Sequence, residues 1–78
     1  MNIYICNLSS IIGNEDLKQL FSVYGEVKSA NIVNDILTGE SRGFGYIEME
    51  DTAAAHKAIT ALDQTEVDTL VISVQENS

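Results

Sequence analysis

Positive charge is what this sequence has least of. Four basic residues, Lys18, Lys28, Arg42 and Lys57, stand against twelve Asp and Glu, for a net charge of −8 over 78 residues. Proteins that grip duplex DNA or an anionic membrane surface set many Lys and Arg side chains against phosphates or headgroups, and this chain has too few to work that way. Cysteine is nearly absent as well. Cys6 alone excludes an internal disulfide framework and fits a reducing compartment, so the expected location is the cytoplasm. No apolar run nears the ~20 residues of a membrane span, and the first residues carry no basic segment followed by an apolar one, so neither membrane contact nor export is expected. Proline, linker-like stretches, low-complexity segments and repeats are all missing, and residues 1–78 read as a single domain.

What is present is a foldable core. Hydrophobic residues make up 45% and charged residues 21%, well above the apolar depletion that keeps acidic chains disordered. A domain of this size buries only ~60% of its chain surface, which leaves no room for a deep catalytic cleft inside the core.

The periodicities place the elements. Residues Asn2 to Cys6 alternate and are bounded by Asn7 and a Ser-Ser pair, as a strand is. Gly13-Asn14 then precedes Glu15-Asp16, and Leu17, Leu20, Phe21 and Tyr24 recur at helical spacing until Gly25. Val27 to Val33 reads as a second strand, Asn34 to Ser41 as a hairpin connection, and Gly43 to Met49 as a third strand. Asp51 can cap a second helix with Ala55, Ala58, Ile59 and Leu62 on one face, and Leu70 to Val74 reads as the last strand. The order β-α-β-β-α-β predicts an α+β fold, the ferredoxin-like sandwich of a four-stranded antiparallel sheet with two helices on one face. Right-handed crossovers lay both helices on the same side, so the opposite sheet face is left open to water.

Strand alternation decides what that open face carries. In the third strand, Gly43, Gly45, Ile47 and Met49 can pack beneath the helices, whereas Arg42, Phe44, Tyr46 and Glu48 include charges too costly to bury there. In the first strand Ile3 and Ile5 turn inward and Tyr4 and Cys6 outward. Three of the five aromatic residues, Tyr4, Phe44 and Tyr46, thus share a face with no core to fill. A contiguous exposed aromatic patch marks a binding surface, and flat rings suit the bases of single-stranded nucleic acid, which stack for ~1–3 kcal/mol each with little need of net charge. Asn31, Ser73 and Gln75 are placed outward by the same alternation and are candidates for contacts to base edges.

Catalysis finds little support. The single His, His56, sits on the exposed side of the second helix with no Cys, Ser or Asp partner at metal or triad spacing, so neither an enzyme nor a metal site nor a cofactor is expected. Glu15-Asp16 and Glu50-Asp51 lie at helix starts, where the helix dipole accounts for them. The segment from Asn7 to Gly13 has no basic residue to cradle phosphate, as an acylphosphatase-like site requires.

On these residues the chain resembles the RNA recognition motif family. The string RGFGYIEM at 42–49 is similar to the family's eight-residue motif, and IYICNL at 3–8 to its six-residue partner on the neighbouring strand. The resemblance implies that Tyr4, Phe44 and Tyr46 form a base- and sugar-stacking platform, that Arg42 meets a phosphate, and that the partner is single-stranded RNA, or single-stranded DNA. The sequence also departs from the family. Met49 stands where the motif prefers an aromatic, Cys6 where glycine or asparagine is common, and Asp35 and Glu40 occupy a loop that is usually basic. Gln75 and Glu76 replace a basic tail, so weak binding with a shallow salt dependence is expected. Gln64 and Thr69 stand where the family tends to have glycine, which implies a last loop of different shape. The acidic balance and the apolar pair Ile36-Leu37 keep a second reading open, a protein-interaction or homodimerisation module that uses the same face.

Overall fold

The first alternating run forms β1 (Asn2–Cys6), and the chain continues as α1 (Asn14–Ser22), β2 (Ser29–Asn34), β3 (Ser41–Glu48), α2 (Thr52–Leu62), β4 (Glu66–Val67), β5 (Leu70–Val71) and β6 (Ser73–Glu76). This computed structural model describes residues 1–39 and 41–77, without the side chains of Ser41 and Arg42. Glu40 and the side chain of Arg42 therefore lie outside the described residues.

Both helices start where local chemistry satisfies their first N–H groups. The Asp51 carboxylate accepts from the Ala54 N–H at 3.1 Å, as its place before the apolar run predicts. At α1 the Asp16 carboxylate reaches back to the Gly13 N–H at 3.0 Å, so an acid of the first turn secures the entry and suits the helix dipole. Leu17 and Phe21 of α1 and Ala55, Ala58 and Leu62 of α2 are buried in one cluster with Ile3, Ile5, Ile47, Met49, Ile72 and Val74. The helices thus cover one face of a four-stranded antiparallel sheet with the order β2-β3-β1-β6, the ferredoxin-like arrangement that the order of elements predicts. Met49, which replaces the motif's usual aromatic, is wholly buried in that cluster, so the departure alters the core.

β2 and β3 approach unusually closely at Gly45. A Cβ there would lie 2.7 Å from the Asn31 carbonyl oxygen and 3.1 Å from Ile32 Cδ1, so the second glycine of the Gly-Phe-Gly triplet is required by the neighbouring strand.

The end of the chain departs from expectation. Leu70–Val71 does not open the last strand of the sheet; it pairs with Glu66–Val67 in a separate two-stranded ribbon, and β6 begins only at Ser73, opposite Cys6. The cause is the two-residue turn Asp68-Thr69, with φ of 50° and 71°, the pair of positive values that a type I′ hairpin demands. The hairpin claims the backbone as far as Ile72, whose N–H donates to the Thr65 carbonyl at 2.9 Å. Gln64, with φ of 64°, is also left-handed. Both positions without the family's glycine therefore keep the backbone conformation that glycine favours, at the cost that a side chain brings there.

Thr69 is β-branched, so this strain is largest at its position. Replacing Thr69 with Gly removes ~1–2 kcal/mol of left-handed strain and returns part of it as unfolded-chain entropy. Thr69→Gly is expected to raise the melting temperature by about 2–8 °C in a thermal melt followed by circular dichroism. An unchanged or lower value would contradict the strained turn.

Candidate nucleic-acid interface

Antiparallel register sets the open face in rows. Asn31, Tyr46, Tyr4 and Gln75 stand side by side across β2, β3, β1 and β6, and Phe44, Cys6 and Ser73 form the adjoining row across β3, β1 and β6. The residues between them, Ile3, Ile5, Gly45, Ile47 and Val74, are buried beneath the helices, so the rows point away from the core. Among the described side chains, the outward positions expected from alternation are brought together on one surface, and the later start of β6 leaves Ser73 and Gln75 on it.

The three rings touch one another. The Tyr4 centroid lies 5.8 Å from that of Phe44 and 5.3 Å from that of Tyr46, and Phe44 meets Tyr46 edge-on at 6.5 Å. Such tilted and edge-to-face pairs suit ring quadrupoles. Tyr4 and Phe44 are half-buried and Tyr46 is exposed. Cys6 is half-buried beside them, and its thiol is free. Arg42 belongs by its backbone to β3, two residues before Phe44.

Electrostatics on this face depend on a pair that local sequence patterns do not reveal. Lys28 Nζ lies 3.2 Å from Glu48 Oε2 and 3.7 Å from Glu50 Oε1. The hydrogen bond to Glu48, then the charges of Glu48 and Glu50, hold the Lys28 ammonium above its usual pKa. Because the folded value exceeds the unfolded one, this contribution is complete below the usual 10.5 and is lost as pH rises through the raised value. The carboxylate expected beside Tyr46 thus carries its own counter-ion, and Lys28 is engaged. Lys18 and Lys57 lie on α1 and α2, in the layer opposite the open face. Lys28 and Glu48 are twenty positions apart, and only the pairing of Ser29 with Glu48 brings them together.

Elsewhere the hairpin between β2 and β3 is shaped by Asp35, whose carboxylate accepts from the Thr38 N–H at 3.1 Å and the Leu37 N–H at 2.8 Å. These bonds, Thr38 first, hold the Asp35 carboxyl below its usual pKa, so their ordering effect is present at neutral pH and is lost as pH falls through that lowered value. His56 remains on the exposed helix surface, with Nε2 3.6 Å from Glu76 Oε1. A cavity of about 670 Å³ between segment 10–16 and the start of the hairpin includes none of the aromatic residues of the open face.

The fold and this aromatic face define the class, and comparison agrees: the chain belongs to the RNA recognition motif family, whose model matches residues 3–73. It is 47% identical over 66 residues to the protein RbpE of Nostoc sp., across 85% of this chain and 67% of that one. The crystal structure of RNA binding protein PG1 is 44% identical, with a TM-score of 0.96 over 99% of this chain and 93% of that chain. The structure of an Sxl-lethal protein/RNA complex is 32% identical, with a TM-score of 0.90 over 95% of this chain and 46% of that one. The chain spans about two thirds of the length of the Nostoc and Synechocystis proteins it matches.

If the rings stand outside the core, removing one costs little stability. Tyr46→Ala is expected to lose about 1 kcal/mol in urea unfolding, the size of a cross-strand ring pair, whereas the neighbouring Ile47→Ala loses ~2–5 kcal/mol. Equal losses for the two variants would contradict the assignment of faces.

Proposed function

We propose that this chain binds single-stranded RNA by stacking bases on Tyr4, Phe44 and Tyr46, with Arg42 in contact with a phosphate. The observation that carries this reading is the mutual contact of three rings on a sheet face that, among the described residues, no helix covers. Family membership supports RNA over a protein-interaction module on the same face. Asn31, Ser73 and Gln75, aligned with the rings, would meet base edges, where sequence-selective RNA recognition takes place.

Stacking supplies most of the free energy in this reading. Each base contributes ~1–3 kcal/mol, whereas a protein with one or two phosphate contacts gains little from counter-ion release. Micromolar or weaker affinity follows, with log Kd rising by about one for a tenfold rise in salt.

The test is a titration of a short random RNA pool at low salt against the wild type and the double variant Phe44→Ala/Tyr46→Ala. The wild type is expected to bind, with that shallow salt slope, and the double variant to lose roughly 30-fold or more, about 2 kcal/mol for two stacked bases. Undetectable binding by the wild type, or equal binding by the two proteins, would overturn the reading.

A further inference from the structure

Beyond the rings, the open face has a second feature, a depression of about 260 Å³ bordered by Tyr46, Asn31, Asn2, Ser29, Ile47, Glu48 and Asn77, with Lys28 reaching Glu48 from outside this border. It lies where the row of Ser29, Glu48 and Asn2 adjoins the row of Asn31, Tyr46 and Tyr4. Five of these seven, all but Tyr46 and Ile47, are polar residues without a ring to stack on, so this part of the face is rich in hydrogen-bonding groups. Glu48 supplies the carboxylate. Its two oxygens offer about four acceptor positions, and Lys28 takes one side of Oε2 from 3.2 Å. The Glu48 side chain is 40% exposed and that of Lys28 58%, so both remain within reach of a ligand.

Resting on the reading above, we propose that this depression is a guanine-selective subsite, in which a base beside Tyr46 presents its Watson–Crick edge to the Lys28–Glu48 pair. The chemistry singles out guanine. Its edge carries two neighbouring donors, N1–H and the N2 amino group, next to the O6 acceptor. A carboxylate accepts two parallel N–H bonds, and an ammonium at its side donates to the adjoining carbonyl. Adenine and cytosine pair one amino donor with a ring acceptor, which would leave one carboxylate oxygen facing a lone pair. Uracil has one N–H between two carbonyls, so the second carboxylate oxygen would meet a carbonyl oxygen. The ion pair also lessens the repulsion between an acidic residue and a polyanion: Lys28, shared between Glu48 and Glu50, offsets part of their charge while leaving acceptors of Glu48 available.

The test compares fluorescein-labelled oligouridine octamers without guanine, with one central guanine, and with inosine in its place, which lacks the N2 amino group, together with the deoxyribose form of the guanine octamer. Wild type is expected to bind the guanine RNA about five-fold or more tightly than oligouridine, with inosine between them. Glu48→Gln, which keeps the shape but turns one oxygen into a donor, is expected to bring the ratio to two-fold or less while leaving oligouridine binding within about two-fold. The same preference in deoxyribose places recognition on the base; its loss there would overturn a subsite defined by the base edge alone. Equal wild-type binding to the guanine and uridine octamers, or an undiminished preference in Glu48→Gln, would overturn the subsite while leaving RNA binding in place. Failure to bind any octamer would overturn both.

Discussion

Two helices packed on one side of a four-stranded sheet leave the other side uncovered among the described residues, and the make-up of that open face follows from which residues are forced to the covered side. Ile3, Ile5, Ile47, Ile72 and Val74 are nearly wholly buried against Leu17, Phe21, Ala55 and Ala58. Because side chains alternate with a period of two, burying that set fixes the outward set without further choice. A slip of one residue in β1 or β3 would expose the isoleucines and push charges such as Glu48 toward the helices, at a cost of several kcal/mol. The aromatic platform is thus held in place by hydrophobic residues on the reverse of the same strands. Its rigidity is borrowed from the core.

The same constraint gives the net charge of −8 a narrower meaning. Several acidic residues have local functions: Asp16 and Asp51 secure helix starts, Asp35 shapes a turn, and Glu48 is matched with Lys28. Engaging Lys28 in this way removes a cation that could otherwise meet a phosphate. In the proposed function the phosphate contact therefore falls to Arg42, and affinity must come from rings and base edges. Such a binder trades strength for dependence on unpaired, accessible bases, because paired bases offer no face to stack.

Most of the architecture was legible in the sequence because core burial imposes strong periodicities. Leu17, Phe21, Ala55 and Leu62 recur at helical spacing, and Ile3, Ile5, Tyr4 and Cys6 alternate, so both helices and the central strands could be read with their faces. The last strand was misread for a definite reason. Leu70 to Val74 is a continuous β-rich run, and nothing in it signals a break; the break is set by left-handed backbone at Asp68 and at Thr69, a β-branched residue that seldom adopts it. At Gln64 and Thr69, where the family tends to have glycine, the backbone takes the left-handed conformation that glycine favours. The platform residues were legible from alternation and from the resemblance to the family's motifs. The Lys28–Glu48 pair was not, because it depends on the register between β2 and β3, which the hydrophobic pattern leaves unspecified across a long connection.

In the proposed function RNA meets the exposed side of the sheet, and neither the helices nor the hairpin between β2 and β3. A titration of the isotope-labelled protein with a single-stranded RNA octamer, followed by amide and aromatic proton chemical shifts, addresses it directly. Shifts concentrated on Tyr4, Phe44, Tyr46 and their neighbours Asn31 and Gln75, with α1 and α2 unmoved, are the expected result. Shifts confined to the helices or to segment 10–16, with the three rings unperturbed, would contradict it.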